Sequence, residues 1–314
     1  MDSERSFRRP TIFQREYAAV MIHETHIVEG VGSSIRIYDY LPGKFHAITS
    51  RKGIKKAFER QQIKCNGFFV KGGAYIQNGD CIELLIAAYA PKRPFFKRLP
   101  ILYEDNYLAI IHKPPGLVVS GNQWKTLENA VAHLLEPSTL LDALPKPLAA
   151  HRIDATTGGI VLLAKTYSMR TKLGDLFESK AINKQYLALA HGKLSSKEGA
   201  ILTPIDGKSS ATQYEVLGNV TIDNQAVSLI ACSPITGRKH QLRIHFAEMG
   251  HPLVGDKKYG ISQLQMDKRA IYLFNRRIAF THPETDEVIA VTAAIPKKFR
   301  RILEKIKVTT ENFS

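Results

Sequence analysis

His151-Arg152-Ile153-Asp154-Ala155-Thr156-Thr157-Gly158-Gly159 runs directly into the apolar stretch Ile160-Val161-Leu162-Leu163-Ala164. The apolar run predicts a strand, and the Thr/Gly turn before it sets Asp154 and Arg152 at the strand's edge. Aspartate is rarely buried without a partner. Held at a turn against guanidinium groups, it stays ionised and is ready to act as nucleophile or base. A second basic segment, Thr236-Gly237-Arg238-Lys239-His240-Gln241-Leu242-Arg243-Ile244-His245, lies far downstream and offers such groups.

Outward from this stretch the pattern alternates strands and helices. Upstream, Leu108-Ala109-Ile110-Ile111 predicts a strand that ends at the turn Lys113-Pro114-Pro115-Gly116. Downstream, Met169, Leu173, Leu176 and Phe177 have helical spacing, on a helix ending near Lys180. Strands are expected over 184–189, 226–231, 271–274, 277–280 and 288–291. Leu242, Phe246 and Met249 mark a helix stopped by Gly250, with Pro252 beyond it. Residues 297–306 predict a basic helix.

The chain has 314 residues, which suggests two domains. Lys and Arg number 44 against 29 Asp and Glu, a formal charge of +15 that suits a polyanionic partner. Cys65, Cys81 and Cys232 have neither disulfide nor zinc spacing and fit a reducing cytosol. The N-terminus lacks the apolar core of a signal peptide, and no apolar run approaches a membrane span. The expectation is a cytoplasmic protein, off the membrane and monomeric.

Residues 1–34 read as an extension, 35–86 as a compact unit, 87–100 as a Pro-rich basic linker and 101–314 as the main domain. In the compact unit Ser50 is placed to cap a helix over Arg51–Gln61 with Ile54, Ala57 and Phe58 on its apolar side. Arg51, Lys52, Lys55, Lys56 and Arg60 form a cationic stripe with one acid, Glu59. Asn66-Gly67 and Asn78-Gly79-Asp80 are turn signals between short strands. A charged helix face is most often simply solvated. Here Ser50-Arg51, the basic helix, Cys65-Asn66-Gly67 and Gly79-Asp80 resemble the small S-four-like RNA-binding module, which implies contact with phosphates.

His151-Arg152-Ile153-Asp154 with Thr157-Gly158-Gly159 resembles the catalytic signature of the RluA-type pseudouridine synthases. Further segments agree in order: Lys113-Pro114-Pro115-Gly116-Leu117, Lys184-Gln185-Tyr186, the 236–245 segment, Gly250-His251-Pro252-Leu253-Val254-Gly255-Asp256 with Tyr259-Gly260, and Phe280-Thr281-His282-Pro283. The resemblance implies an α+β fold: a catalytic domain with a central mixed, mainly antiparallel sheet flanked by helices, preceded by a small α+β RNA-binding domain. It implies isomerisation of uridine within RNA, with no cofactor and no metal. The irregular spacing of His240, His245 and His251 likewise argues for structural hydrogen bonds over metal ligation.

By the same resemblance Asp154 is the essential carboxylate, either attacking covalently or removing a ribose proton. Arg243 would pair with it and keep it ionised. Tyr186 would stack on the uracil, although a strand tyrosine taken alone is usually core. Arg152 would fill the gap left by the extruded nucleotide. Leu253 would wall the uracil pocket or pack beneath it. Departures are local: Gly158 stands where the family often has Ser, and His112 and Ser120 replace residues commonly seen as Asn and His. Large-subunit ribosomal RNA is the expected substrate. Transfer RNA, or a catalytically silent role in RNA binding or ribosome assembly, are the alternatives.

Overall fold

The computed structural model describes residues 20–87, 95–222, 224–260 and 271–306. Residues 1–19 of the expected extension and 88–94 of the expected linker lie outside them. The chain divides between Ala90 and Pro91 into two compact units.

The first unit contains β1 (Val20–Ile27), β2 (Ile35–Arg36), α1 (Ile37–Tyr40), α2 (Arg51–Glu59), β3 (Ile63–Cys65), β4 (Phe68–Phe69), β5 (Tyr75–Ile76) and β6 (Cys81–Ala87). Its main sheet has the order β1-β6-β3-β4. The sheet thus begins at Val20, inside the stretch read as an extension. That strand forms because β6 supplies a full antiparallel partner, from Val20 opposite Ala87 to Ile27 opposite Cys81. Ser50 caps α2, its Oγ accepting from the Gly53 N–H at 3.1 Å. Ile54 and Ala57 are buried, and Arg51, Lys52, Lys55, Lys56 and Arg60 are exposed. Asn66 and Gly67 both take positive φ, 50° and 82°, at the tight β3–β4 turn.

The second unit contains β7 (Ile101–Glu104), β8 (Leu108–Lys113), α3 (Leu127–Val131), β9 (Ala143–Ala149), β10 (Gly158–Thr166), α4 (Tyr167–Glu178), β11 (Asn183–His191), β12 (Glu198–Ile201), β13 (Thr212–Ile222), β14 (Gln225–Pro234), α5 (Gln241–Glu248), β15 (Leu273–Thr281), β16 (Val288–Thr292) and α6 (Lys297–Ile306). One sheet takes the order β12-β13-β14-β11-β15-β10-β8-β7, with β16 on β15 and β9 on β10. Pairing is antiparallel except where β10 meets β15 in parallel, so the sheet is mixed and mainly antiparallel, as expected.

Every residue of β10 is buried. Val161 and Leu163 enter the core beneath α5, with Leu242 and Phe246. Ile160, Leu162 and Ala164 enter the opposite core, with Met169 and Leu173 of α4 and Phe299, Ile302 and Leu303 of α6. A strand covered on both faces must be apolar at consecutive positions, which is why Ile160–Ala164 shows no alternation. The strands expected over 271–274 and 277–280 are one strand, β15. The polar Asn275-Arg276 broke the apolar pattern, and the register slips there, Gln185 facing Arg277 while Tyr186 faces Asn275. The edge strand β9 carries Pro145 and Pro147, which disguise a strand in sequence. Among the described residues no helix is long and apolar enough to cross a membrane.

Gly159 fixes where β10 joins β15. Its φ is +118°, and a Cβ there would lie 2.1 Å from the Asn275 carbonyl oxygen. Gly159→Ala should therefore destabilise by at least ~2 kcal/mol, lowering the melting temperature by roughly 5 °C or more. Gly174→Ala in α4, where a Cβ meets nothing within 4 Å, should be neutral or slightly stabilising. Equal melting temperatures for the two variants would contradict this account of the β10–β15 junction.

Candidate active site

The loop before β10 is tied down from below. The Thr157 N–H donates to the Asp154 carbonyl at 3.0 Å, closing a turn around Ala155 and Thr156. The Gly116 N–H donates to the Ala155 carbonyl at 2.7 Å. Lys113, fully buried at the end of β8, donates to the carbonyls of Leu117 (2.8 Å), Pro114 (3.1 Å) and Ala155 (3.3 Å). Burial lowers its ammonium to about 8, with the Asp154 charge opposing the shift. The Lys-Pro-Pro-Gly turn is thereby clamped to the Asp154 loop. His151 accepts from the Leu162 N–H at 3.1 Å. Burial, assisted by Lys184, pushes its imidazole down to about 3, so it remains a neutral acceptor.

The second half of the site comes from the loop and helix after β14. Gln241, buried at the start of α5, organises that loop. Its Oε1 accepts from Thr236 Oγ1 at 2.6 Å and from the Arg238 N–H at 3.0 Å. Its Nε2 donates to the Ala211 carbonyl at 2.9 Å. His240 precedes the helix in left-handed conformation, φ 57° and ψ 21°. Leu242 and Phe246 then anchor α5 in the core, which leaves Arg243 on the side that meets Asp154.

Arg243 joins two carboxylates. Its Nη1 donates to Asp154 Oδ2 at 3.0 Å. Its Nε and Nη2 form a paired contact with Asp256, 2.7 Å to Oδ2 and 2.7 Å to Oδ1. Burial works against the charge of Arg243, but the hydrogen bonds to Asp256 and Asp154 outweigh it and raise its pKa. Burial would also raise Asp256, yet Arg243 and the N–H groups of Lys258 and Tyr259 hold it below the usual carboxylate range. Asp256 fits between two glycines: Gly255 has φ +79°, and a Cβ on Gly260 would lie 2.2 Å from the Asp256 carbonyl oxygen. Around Asp154, His240 Nε2 is 3.6 Å from Oδ1. His240 Nδ1 lies 3.0 Å from the Tyr259 hydroxyl, and the Tyr259 ring faces the Arg243 guanidinium at 5.2 Å.

Asp154 lies at the wall of two cavities, of about 860 and 280 Å³. Tyr186 and Lys184 line the larger, Ser120 the smaller, and Arg152, His240 and Arg243 both. Asp154 and Glu178 are the carboxylates of the larger wall, against the cations Arg152, Lys180, Lys184, Arg238, Lys239 and Arg243. Tyr186 is buried, and burial together with the Asp154 charge raises its phenol pKa. The structure thus brings Asp154, Arg243, Tyr186 and Arg152 together. Leu253 is fully buried in the core beneath α5, bridged to Ala190, and lines neither cavity; Leu273 lines the larger one. Arg51, Lys52, Lys55, Lys56 and Arg60 belong to the first unit.

His245 is held by Ser210 and Thr212, at 2.9 and 3.0 Å, and His251 by the His191 carbonyl at 2.9 Å, which gives both a structural place. Among the described residues no three His, Cys, Asp or Glu side chains are grouped to hold a metal ion. Lys113, His240, Asp256 and Tyr259 lie within the motifs, but the motifs alone assign them no place at the site. The signal that could have found Asp256 is a lone acid framed by glycines in a basic chain.

The family described as RNA pseudouridylate synthase matches residues 107–248. The ribosomal large subunit pseudouridine synthase D of Nitrosomonas europaea is 33% identical over 235 residues, covering 67% of this chain and 65% of the relative. The dual-specificity RNA pseudouridine synthase RluA of Haemophilus influenzae is 31% identical over 225 residues, covering 67% of this chain and 97% of the relative. The solved structure of human RNA pseudouridylate synthase domain containing 1 shares the fold, with a TM-score of 0.53 over 63% of this chain and 84% of that one at 23% identity. The chain belongs to the RluA-type RNA pseudouridine synthases and is an RNA-modifying isomerase.

Removing one charge from the buried pair isolates the task of Asp256. Asp256→Asn should destabilise the protein by about 3 kcal/mol. It should also lower kcat for pseudouridine formation by roughly ten-fold, with KM little changed, because Arg243 loses the partner that aims it. Wild-type turnover and melting temperature in this variant would sink the claim.

Proposed function

We propose that Asp154 is the carboxylate that acts on the target uridine, and that the substrate is large-subunit ribosomal RNA. The observation that carries the catalytic part is the chain of contacts Asp256–Arg243–Asp154 at a cationic cavity, with Tyr186 on the same wall. Arg243 holds one Asp154 oxygen, which leaves the carboxylate oriented at the cavity wall.

In the isomerisation the glycosidic bond breaks, the uracil turns, and a ring carbon joins the ribose and gives up its proton, while the ring nitrogen freed from the ribose ends as an N–H. Atoms balance without a co-reactant. Asp154 begins the sequence, by attack or by taking a ribose proton. Tyr186, its pKa raised by burial and by Asp154, stays a neutral phenol. It contacts the uracil with its ring and serves proton transfer as a hydrogen-bonding hydroxyl rather than as a phenolate. Arg152 is exposed at the rim of both cavities, where a guanidinium can occupy the space of the flipped nucleotide.

Two features support the ribosomal target. A relative named as a ribosomal large subunit pseudouridine synthase is 33% identical. The first unit carries an exposed cationic helix on a fold that suits an RNA-binding module. The cations lining the larger cavity favour RNA phosphates in either case.

Asp154→Asn should abolish pseudouridine formation while leaving the melting temperature and RNA affinity near wild type. Mapping pseudouridines in total RNA with and without the protein should place the lost sites in large-subunit ribosomal RNA. Losses confined to transfer RNA would overturn that target, and normal modification by Asp154→Asn would overturn the role of the carboxylate. Changing Lys55, Lys56 and Arg60 together to Ala should weaken RNA binding and flatten the dependence of log K on log salt, by up to ~2–3 in slope. An unaltered slope would remove the first unit from the RNA interface.

A further inference from the structure

We propose that Trp124, Phe95 and Phe96 form a stacking platform for unpaired nucleotides of the RNA beside the target uridine. The proposal rests on RNA as the substrate but not on the role of Asp154.

Aromatic side chains of this size are usually covered. Trp124 is 43% exposed and Phe96 75%. Phe95, a chain neighbour of Phe96, connects the two stretches. Phe95 packs partly against the core and meets the Trp124 ring edge-on at 5.6 Å. Next to Phe95 in the chain, Phe96 lies 4.8 Å from the His133 ring. Lys125 Nζ stands 4.9 Å over the Trp124 ring.

The loop that carries Trp124 is held in place. Val118 bridges Thr126, and the Leu127 and Glu128 N–H groups donate to the carbonyls of Val118 and Val119 at 2.8 and 3.1 Å. Asn129 Nδ2 donates to the Trp124 carbonyl at 3.0 Å, and Lys146 holds the Asn129 amide from its other end at 2.7 Å. The backbone that carries the ring is therefore set before any ligand arrives, which reduces the entropy lost on binding.

Position and charge both select the occupant. Val118, Val119 and Ser120 line the smaller cavity together with Asp154, and the loop runs from that wall to Trp124. The segments 95–103 and 117–127 contain Lys97, Arg98 and Lys125 and no Asp or Glu. Exposed aromatic rings interleaved with cations match single-stranded nucleic acid, whose bases stack while its phosphates are neutralised. Chemistry on a uridine requires taking it out of the stack, so its neighbours lose a stacking partner. With Arg152 in the vacated space, the aromatic rings can take an unpaired flanking base of any identity, because every base has a π-face.

Trp124 is the chain's only tryptophan, so its emission reports on the platform directly. The probe is an oligouridylate of about twelve nucleotides, added to the full-length protein, with a duplex of equal length as comparison. The single strand should quench Trp124 emission and the duplex should not. Trp124→Ala and Phe96→Ala should each weaken oligouridylate binding, measured by anisotropy, by about five-fold or more, and Trp124→Phe should restore most of it. Phe96 is exposed, so its removal tests the platform even if Trp124→Ala melts early. Asp154→Asn should keep the quench, which separates this outcome from any failure of the catalytic assignment. Unchanged emission at saturating oligouridylate, or wild-type affinity in Phe96→Ala and Trp124→Ala, would overturn the proposal.

Discussion

The paired contact of Arg243 with Asp256 is the constraint on which the site depends. A buried guanidinium is costly without compensation, and one carboxylate with two 2.7 Å contacts supplies most of it. The remaining Nη1 donor can then point at Asp154 with little freedom to choose another partner. Asp256 is in turn satisfied by the N–H groups of Lys258 and Tyr259. The orientation of the half-buried Asp154 carboxylate is thus inherited from a buried one. This is the usual logic of a preorganised site, in which a group at a cavity wall is aimed by groups buried behind it.

The sheet makes that arrangement possible. Asp154 precedes the central strand β10, and Tyr186 lies on β11; between the two strands runs β15. The two neighbours of β15 are brought close because Gly159 lets the backbone of β10 approach Asn275. On one face of the sheet α5 delivers Arg243. On the other, α4 and α6 cover the apolar residues that make β10 rigid. Lys113 adds a second tie from β8, using its ammonium as a three-way hydrogen-bond donor to loop carbonyls. The Asp154 loop and the sheet are one unit.

Much of this was legible in the residues. The strand of Ile160–Ala164, the helix stopped by Gly250, the Ser50 cap and the Asn66-Gly67 turn follow from local rules, because each depends on neighbours a few positions away. The site residues Asp154, Tyr186, Arg243 and Arg152 were read from motifs and do share one cavity wall region. Other features resisted. β1 needs β6, far along the chain, to be a strand at all. β9 hides behind two prolines, and β15 behind a polar bulge. The motif left open whether Leu253 walls the uracil pocket or packs beneath it; packing puts it in the core beside Ala190, lining neither cavity.

By itself the sequence determined the chemistry on offer: one acid at a turn, an arginine-rich helix start, a strand tyrosine and a basic chain suited to RNA. Those are properties of residue type and short spacing. Only the tertiary structure decided which charges meet. Arg243 and Asp154 are 89 residues apart, and their contact exists because β10, β15 and α5 converge. Pairing across such a distance is set by the packing of whole elements. No local pattern encodes that Asp256, rather than another acid, holds the arginine that holds Asp154.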